Sequence, residues 1–404
     1  MNRFSSVACV ALVACAGKPS LVAPDATSSP AANQGLAKVL APAHTAFGLD
    51  LWKKLGAQNP GNLAISPASL ALAFGMTCAG ARGATADEMR QVLRLDGIDD
   101  PHAAGGALGA LWNAPNTAYS LAVANRLFGE TTAKFEDAFL ALTSAKYQAP
   151  LEVVDFINAF EPARLHINAW VATQTQEKIQ DLLPKDSLDT LTRLVLVNAI
   201  YFKGTWKYTF DKTRTADAPF KAMTGDKRVP FMAATGRYDY GAVAGAEVLQ
   251  LPYVGEDLVM TFVLPEGELA ALESSLTPAV LDAWFASISP TNALTVMLPR
   301  FRVATGSMSL KAHLGALGMK LAFSNDADLK AMSPLDLKVT DAFHKVFVEV
   351  NEEGTEAAAA TAVVVGVKSA SEPKRFVADR PFLFFVRDLR TGHILFMGRV
   401  ADPS

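Results

Sequence analysis

The side chains best suited to chemistry are thinly spread along this sequence. Six histidines occur, at positions 44, 102, 166, 313, 344 and 393, and no two stand at the i, i+4 spacing that sets two metal ligands on one helix face. Cys9, Cys15 and Cys78 are widely spaced and form no C-x-x-C pair, so neither a zinc site nor a disulfide framework is indicated. There is no G-x-S-x-G elbow for a nucleophilic serine, no H-E-x-x-H, and no Walker A or G-x-G-x-x-G loop. One S-x-x-K match runs from Ser371 to Lys374, but Pro373 opposes the helical turn that would bring the ammonium to the hydroxyl. No catalytic residue, metal or cofactor is expected.

The composition narrows the remaining classes. Half of the 404 residues are hydrophobic and 19% are charged, which is globular and excludes collagen, coiled coil and wholesale disorder. Lys plus Arg number 37 against 40 Asp plus Glu, so no basic excess exists to hold a phosphate backbone and no nucleic-acid partner is expected. No linker divides 41–404 and no internal repeat is visible, so one large domain is expected there.

Apolar spacing predicts helices near 41–57, 67–79, 84–94, 135–146, 160–181 and 307–317. Ser66-Pro67 makes a helix start, because serine caps free N–H groups and proline has none to leave unpaired. Strand-like runs occur at 193–202, 246–252, 258–264, 293–300, 343–350, 382–387 and 393–399. Helices dominate the first half and strands the second. That segregation predicts an α+β fold with largely antiparallel sheets.

The most informative stretch is 351–369, NEEGTEAAAATAVVVGVKS. Its alanines favour a helix, while Val363, Val364, Val365 and Gly366 favour extended chain. Gly354 permits a sharp backbone change. Beyond it, Thr355, Ala357, Ala359, Thr361, Val363 and Val365 alternate, and all could face a core if the segment became a central strand. Glu356, Ala358, Ala360 and Ala362 offer no steric obstacle on the other face. A segment able to be either loop or strand is what a conformational switch requires.

The run E-E-G-T-E-A-A-A-A-T resembles the reactive-loop hinge of the serpin family of protease inhibitors. The likeness extends over most of 41–404. NLAISPASLALAFGMTCAGARGAT at 62–85, NAIYFKGTWKYTF at 198–210, LPYVGEDLVMTFVLPEG at 251–267, LPRFRV at 298–303, and the run from VTDAFHKVFVEVNEEG to DRPFLFFVRDLRTGHILFMGRVADP all resemble family blocks. The resemblance implies a serpin fold of three β-sheets, about eight to nine helices and an exposed reactive-centre loop.

It also implies roles. The hinge would comprise Glu352, Glu353, Gly354, Thr355, Glu356, Ala357, Ala358, Ala359, Ala360 and Thr361. The scissile bond, counted fourteen residues beyond Gly354, would be Lys368-Ser369 or lie one or two residues away. Lysine before the cut bond points to a trypsin-like serine protease as partner. Ser66, Asn198 and His344 would form a polar cluster beneath the central sheet, Trp206 an aromatic at the top of the opening, and Arg300 with Glu352 an exposed ion pair biasing the hinge. The small hinge residues favour inhibition; the alternative is a non-inhibitory surface scaffold, cleaved without a covalent adduct. The segment 100–116, DPHAAGGALGALWNAPN, carries no Lys or Arg, so no heparin-type cofactor is expected there. The expected state is a monomer.

The first residues read as an export signal. One charge, Arg3, precedes an apolar run ending at Ala14 that is too short to span a bilayer. Leu12-Val13-Ala14-Cys15 resembles the bacterial lipobox, which implies a signal peptide over 1–14 and a lipidated Cys15; a plain secretory peptide is the other reading. The chain would then be anchored to the cell envelope or outer surface, or released. Residues 15–40, rich in Ala, Pro and Ser, read as a tether before a domain over 41–404.

Overall fold

The Pro67–Ala79 helix shows why this sequence needs layers on every side of it. Eleven of its thirteen residues are buried, and a helix apolar all round must run through the interior. Ser66 caps it, its hydroxyl accepting from the Ser69 amide. Cys78 near its end is buried, and burial raises its thiol pKa, as befits a small hydrophobe. The helix packs between the Leu194–Thr205 strand of one sheet and the Ile394–Val400 strand of another.

The computed structural model describes residues 29–355 and 374–404. Among them are ten α-helices, one or two more than expected, and three sheets of nine, six and two strands. The six-stranded sheet is ordered Phe301–Ala304, Phe347–Val350, Gly354–Thr355, Leu194–Thr205, Tyr119–Glu130, Leu151–Val154. Its pairs are antiparallel except the last, and the nine-stranded sheet has one parallel pair, Arg375–Val377 beside Ser289–Pro299. The α+β segregation is as expected.

Several boundaries differ, each for a local reason. Residues 30–38 are helix instead of tether: Ser29 caps the Ala32 amide, Pro30 stands at the first turn, and the alanines favour the helix. This helix packs on the Pro101–Trp112 helix, burying Ala37 and Leu40. The helix expected at 160–181 runs Phe156–Gln174 and kinks at Ala159, just before Pro162. The helix expected from 307 starts at Lys311, because Met308–Ser309 pairs as strand with Phe343–His344. The strand expected at 343–350 is split. At the break the Thr305 hydroxyl accepts from the Val346 amide at 2.8 Å and replaces a ladder bond.

Candidate functional site

The site is a slot between the Leu194–Thr205 strand of the six-stranded sheet and two strands opposite it, Phe347–Val350 of the same sheet and Phe343–His344 of the two-stranded one. At its top the slot is filled. Gly354 pairs with Thr205 and Thr355 with Gly204 on one side, and Thr355 pairs with Val350 on the other. Gly354 adopts φ +152°, and a Cβ there would collide with the Gly204 carbonyl and lie 2.8 Å from Thr205 Cα. Gly204 is needed too, since a Cβ on it would lie 2.7 Å from the Tyr253 ring. Two glycines thus let two strands and an aromatic ring meet at contact distance.

Side chains lock this top. Trp206 is buried; its amide donates to the Glu353 carbonyl at 2.8 Å and its indole N–H to the Asn351 carbonyl at 3.0 Å. Its ring stacks on Tyr253, centroids 4.6 Å apart. Thr355 points into the core, where its hydroxyl shares a 2.6 Å hydrogen bond with the Tyr253 hydroxyl. Lys212 pairs with Glu353.

The Arg300–Glu352 pair is not the exposed one expected. The Glu352 side chain is 2% exposed and Arg300 43%, with Nη2 and Nε at 2.6 and 2.8 Å from Oε1. Burial pushes the Glu352 carboxyl pKa up, but hydrogen bonds from Arg300 and Thr215 more than offset that and hold it below the usual range. Removing the arginine would leave a buried carboxylate short of donors.

Below the hinge the slot is open among the described residues. The Leu194–Thr205 strand pairs with Tyr119–Glu130 along its length on one side, yet on the slot side only Thr205 and Gly204 have strand partners among the described residues. A cavity of about 630 Å³ occupies the gap, walled by Leu194, Leu196 and Asn198 on one side and by Leu337, Val339 and His344 on the other.

The polar cluster lies at the inner end of this cavity. The Ser66 amide donates to His344 Nε2 at 3.0 Å, and its hydroxyl donates to the Leu395 carbonyl at 2.6 Å. An amide can only donate, so Nε2 is unprotonated and the neutral ring carries its proton on Nδ1. Burial pushes the His344 pKa down to about 4. Asn198 hydrogen-bonds neither to Ser66 nor to His344. It joins them through Ser69, whose hydroxyl donates to Asn198 Oδ1, and it donates on to Asn125 at 2.7 Å.

The two ends of the segment 356–373 are fixed in different sheets. Thr355 sits in the six-stranded sheet and Arg375–Val377 in the nine-stranded one. The segment itself, with Glu356, Ala357, Ala358, Ala359, Ala360, Thr361, Lys368 and Ser369, lies outside the described residues, as does Cys15.

A model of the family described as serine protease inhibitors, Serpin, matches residues 42–403. The chain is a serpin. Serpin B6 of Macaca fascicularis is 42% identical over 375 residues, covering 90% of this chain and all of the relative. Leukocyte elastase inhibitor of Sus scrofa is 42% identical over 379 residues, covering 90% of this chain and 99% of the relative. Uncleaved ovalbumin superposes with a TM-score of 0.83 at 30% identity, over 90% of this chain and all of that one. This serpin is an inhibitor of serine proteases and not an enzyme.

The structure brings Ser66, Asn198, His344, Trp206, Arg300 and Glu352 around one slot. Sequence reasoning missed Ser69, Asn125 and Tyr253. Ser69 was within reach, because it lies three residues after the Ser66 cap and on the same helix face. Tyr253 is 102 positions from Thr355, and no local pattern marks it.

Proposed function

We propose that this serpin is a suicide substrate of trypsin-like serine proteases, cut at Lys368-Ser369. The observation that carries the reading is Thr355, seated in the slot opposite Gly204 while the far end of its segment is held by another sheet. An intact segment tied at both ends cannot enter the slot fully. A protease serine attacks the Lys368 carbonyl, the bond to Ser369 breaks, and Ser369 leaves as a free amine while Lys368 stays esterified to the enzyme. One end is now free.

Continuing the Thr355 to Gly204 register down the open strand puts Thr361 opposite Asn198 and Lys368 opposite Leu191. Thr355 faces the core, so Ala357, Ala359 and Thr361 would too, and all are small. Thirteen residues, 356–368, would gain ladder partners, worth on the order of 10 kcal/mol at about 0.5–1.5 kcal/mol per bond. Insertion would carry Lys368 about 45 Å at about 3.3 Å per residue, dragging the esterified protease and distorting its oxyanion hole before hydrolysis. Insertion that releases stored strain is a general switching mode of which serpins are a standing example. The relative named leukocyte elastase inhibitor supports inhibition of a serine protease, and Lys368 supports a trypsin-like one. At the other end, the Leu12–Cys15 motif supports export with a lipid on Cys15.

The test is a denaturing gel after mixing the protein with trypsin. A covalent band at the summed mass, with Ser369 at the new N-terminus of the released fragment, supports the reading. A clipped chain with active trypsin, repeated with chymotrypsin- and elastase-like enzymes, would put the scaffold alternative first. Labelling with radioactive palmitate in a bacterial host, lost on Cys15→Ser, tests the anchor.

A further inference from the structure

Tyr253 contributes a contact for which the inhibitory reading has so far required nothing. The residue is fully buried, and its hydroxyl meets Thr355, the last described residue before the segment that would move. Its ring has no freedom to drift. Trp206 stacks on it at 16° between planes, and Phe202 meets it edge-on at 4.8 Å. The missing side chain of Gly204 makes the space it occupies. A buried phenol must find a partner or lose much of its hydration energy, and here the Thr355 hydroxyl is that partner. Burial raises the Tyr253 pKa, so the phenol stays neutral, and either hydroxyl can donate in this bond.

We propose that the Tyr253 hydroxyl is a positioning group that holds Thr355 inside the sheet before cleavage and thereby sets how often an attacked loop inserts instead of being hydrolysed and released. The inference rests on the suicide-substrate reading. Thr355 opposite Gly204 is the register from which full insertion continues, so the bond survives in the product and is lost only if the hinge is expelled. It therefore favours the started state over the unstarted one. Trapping is a race between insertion and hydrolysis of the ester, and a strand already nucleated at its first residue starts ahead.

The experiment uses the full chain with Tyr253→Phe, which keeps the stacked ring and removes the hydroxyl. Hydrogen exchange is read without protease, at the Trp206 amide bonded to Glu353 and the Asn351 amide bonded to Gly354. Trypsin then supplies the number of inhibitor molecules consumed per enzyme trapped and, separately, the rate constant of attack. The expected result is faster exchange at both amides, a several-fold rise in inhibitor consumed, and an attack rate that does not fall. Thr355→Val should reproduce this, Thr355→Ser should retain the original behaviour, and the double variant should be no worse than either single one, because both remove one bond. Unchanged exchange, unchanged consumption, or additive effects in the double variant would each overturn the proposal. If the parent protein traps no protease at all, the partition claim falls with the function reading, while exchange still decides whether Tyr253 holds the hinge.

Discussion

The two halves of the slot are built on opposite principles. At the top, Gly354 and Thr355 pair on both sides, two glycines let backbones touch, and Trp206, Tyr253, Arg300 and Glu352 fasten the joint. At the base, the same Leu194–Thr205 strand faces a cavity of about 630 Å³. A closed joint next to an open one is a zipper with its first teeth engaged. Below Gly204 that strand edge has no partner among the described residues.

That contrast can be broken most severely at the top. Thr355→Arg places a long cation where the structure has a buried hydroxyl; the covalent protease band should vanish and trypsin should cut the chain as a plain substrate. The base is next. Burial depresses the His344 pKa to about 4 from a usual 6.5, so its neutral form stabilises the fold fully above pH 6.5. That stability drains as pH falls toward 4, a loss on the order of 2–3 kcal/mol. Burial depresses His44 and His393 as well, so the His344 share is the difference between the parent and His344→Gln in urea midpoints at pH 7 and 4.5.

Arg300→Ala should cost about 1–2 kcal/mol in unfolding midpoint, less than the roughly 3–5 kcal/mol of a pair buried on both sides, because the guanidinium is 43% exposed. Its rescue by Glu352→Gln would show that the stranded carboxylate causes the loss. The smallest effect is at the cavity wall. Ala342→Leu should fill space and raise native stability by about 0.5–1 kcal/mol, while lowering the fraction of attacks that end in a trapped protease.

Much of this was written in local sequence. The alternation from Thr355 onward assigns an inward face, of which Thr355 alone lies among the described residues, and its side chain is buried. Ser66-Pro67 announced its helix start, and Asp100-Pro101 marks another in the same way. Local composition misled at residues 30–38, where alanines cost too little entropy in a helix for their low apolar area to keep them unfolded once a neighbouring helix is there to pack against. It also misled about Glu352, whose carboxylate is met by Thr215 and Arg300 from distant connecting segments of the chain. Tyr253 was illegible for the same reason. Strand periodicity says that a residue faces inward, and only the assembled sheets say what it meets.

Phe382–Asp388 and Ile394–Val400 lie side by side within the nine-stranded sheet, flanked by Leu258–Pro265 and Leu63–Ile65. A nick anywhere between Glu356 and Pro373 therefore leaves two polypeptides threaded through one particle. Gel filtration would count one molecule where a denaturing gel counts two. The smaller piece supplies interior strands, so it leaves only when the larger one unfolds, and the nicked protein would travel, bind and be cleared as a single body.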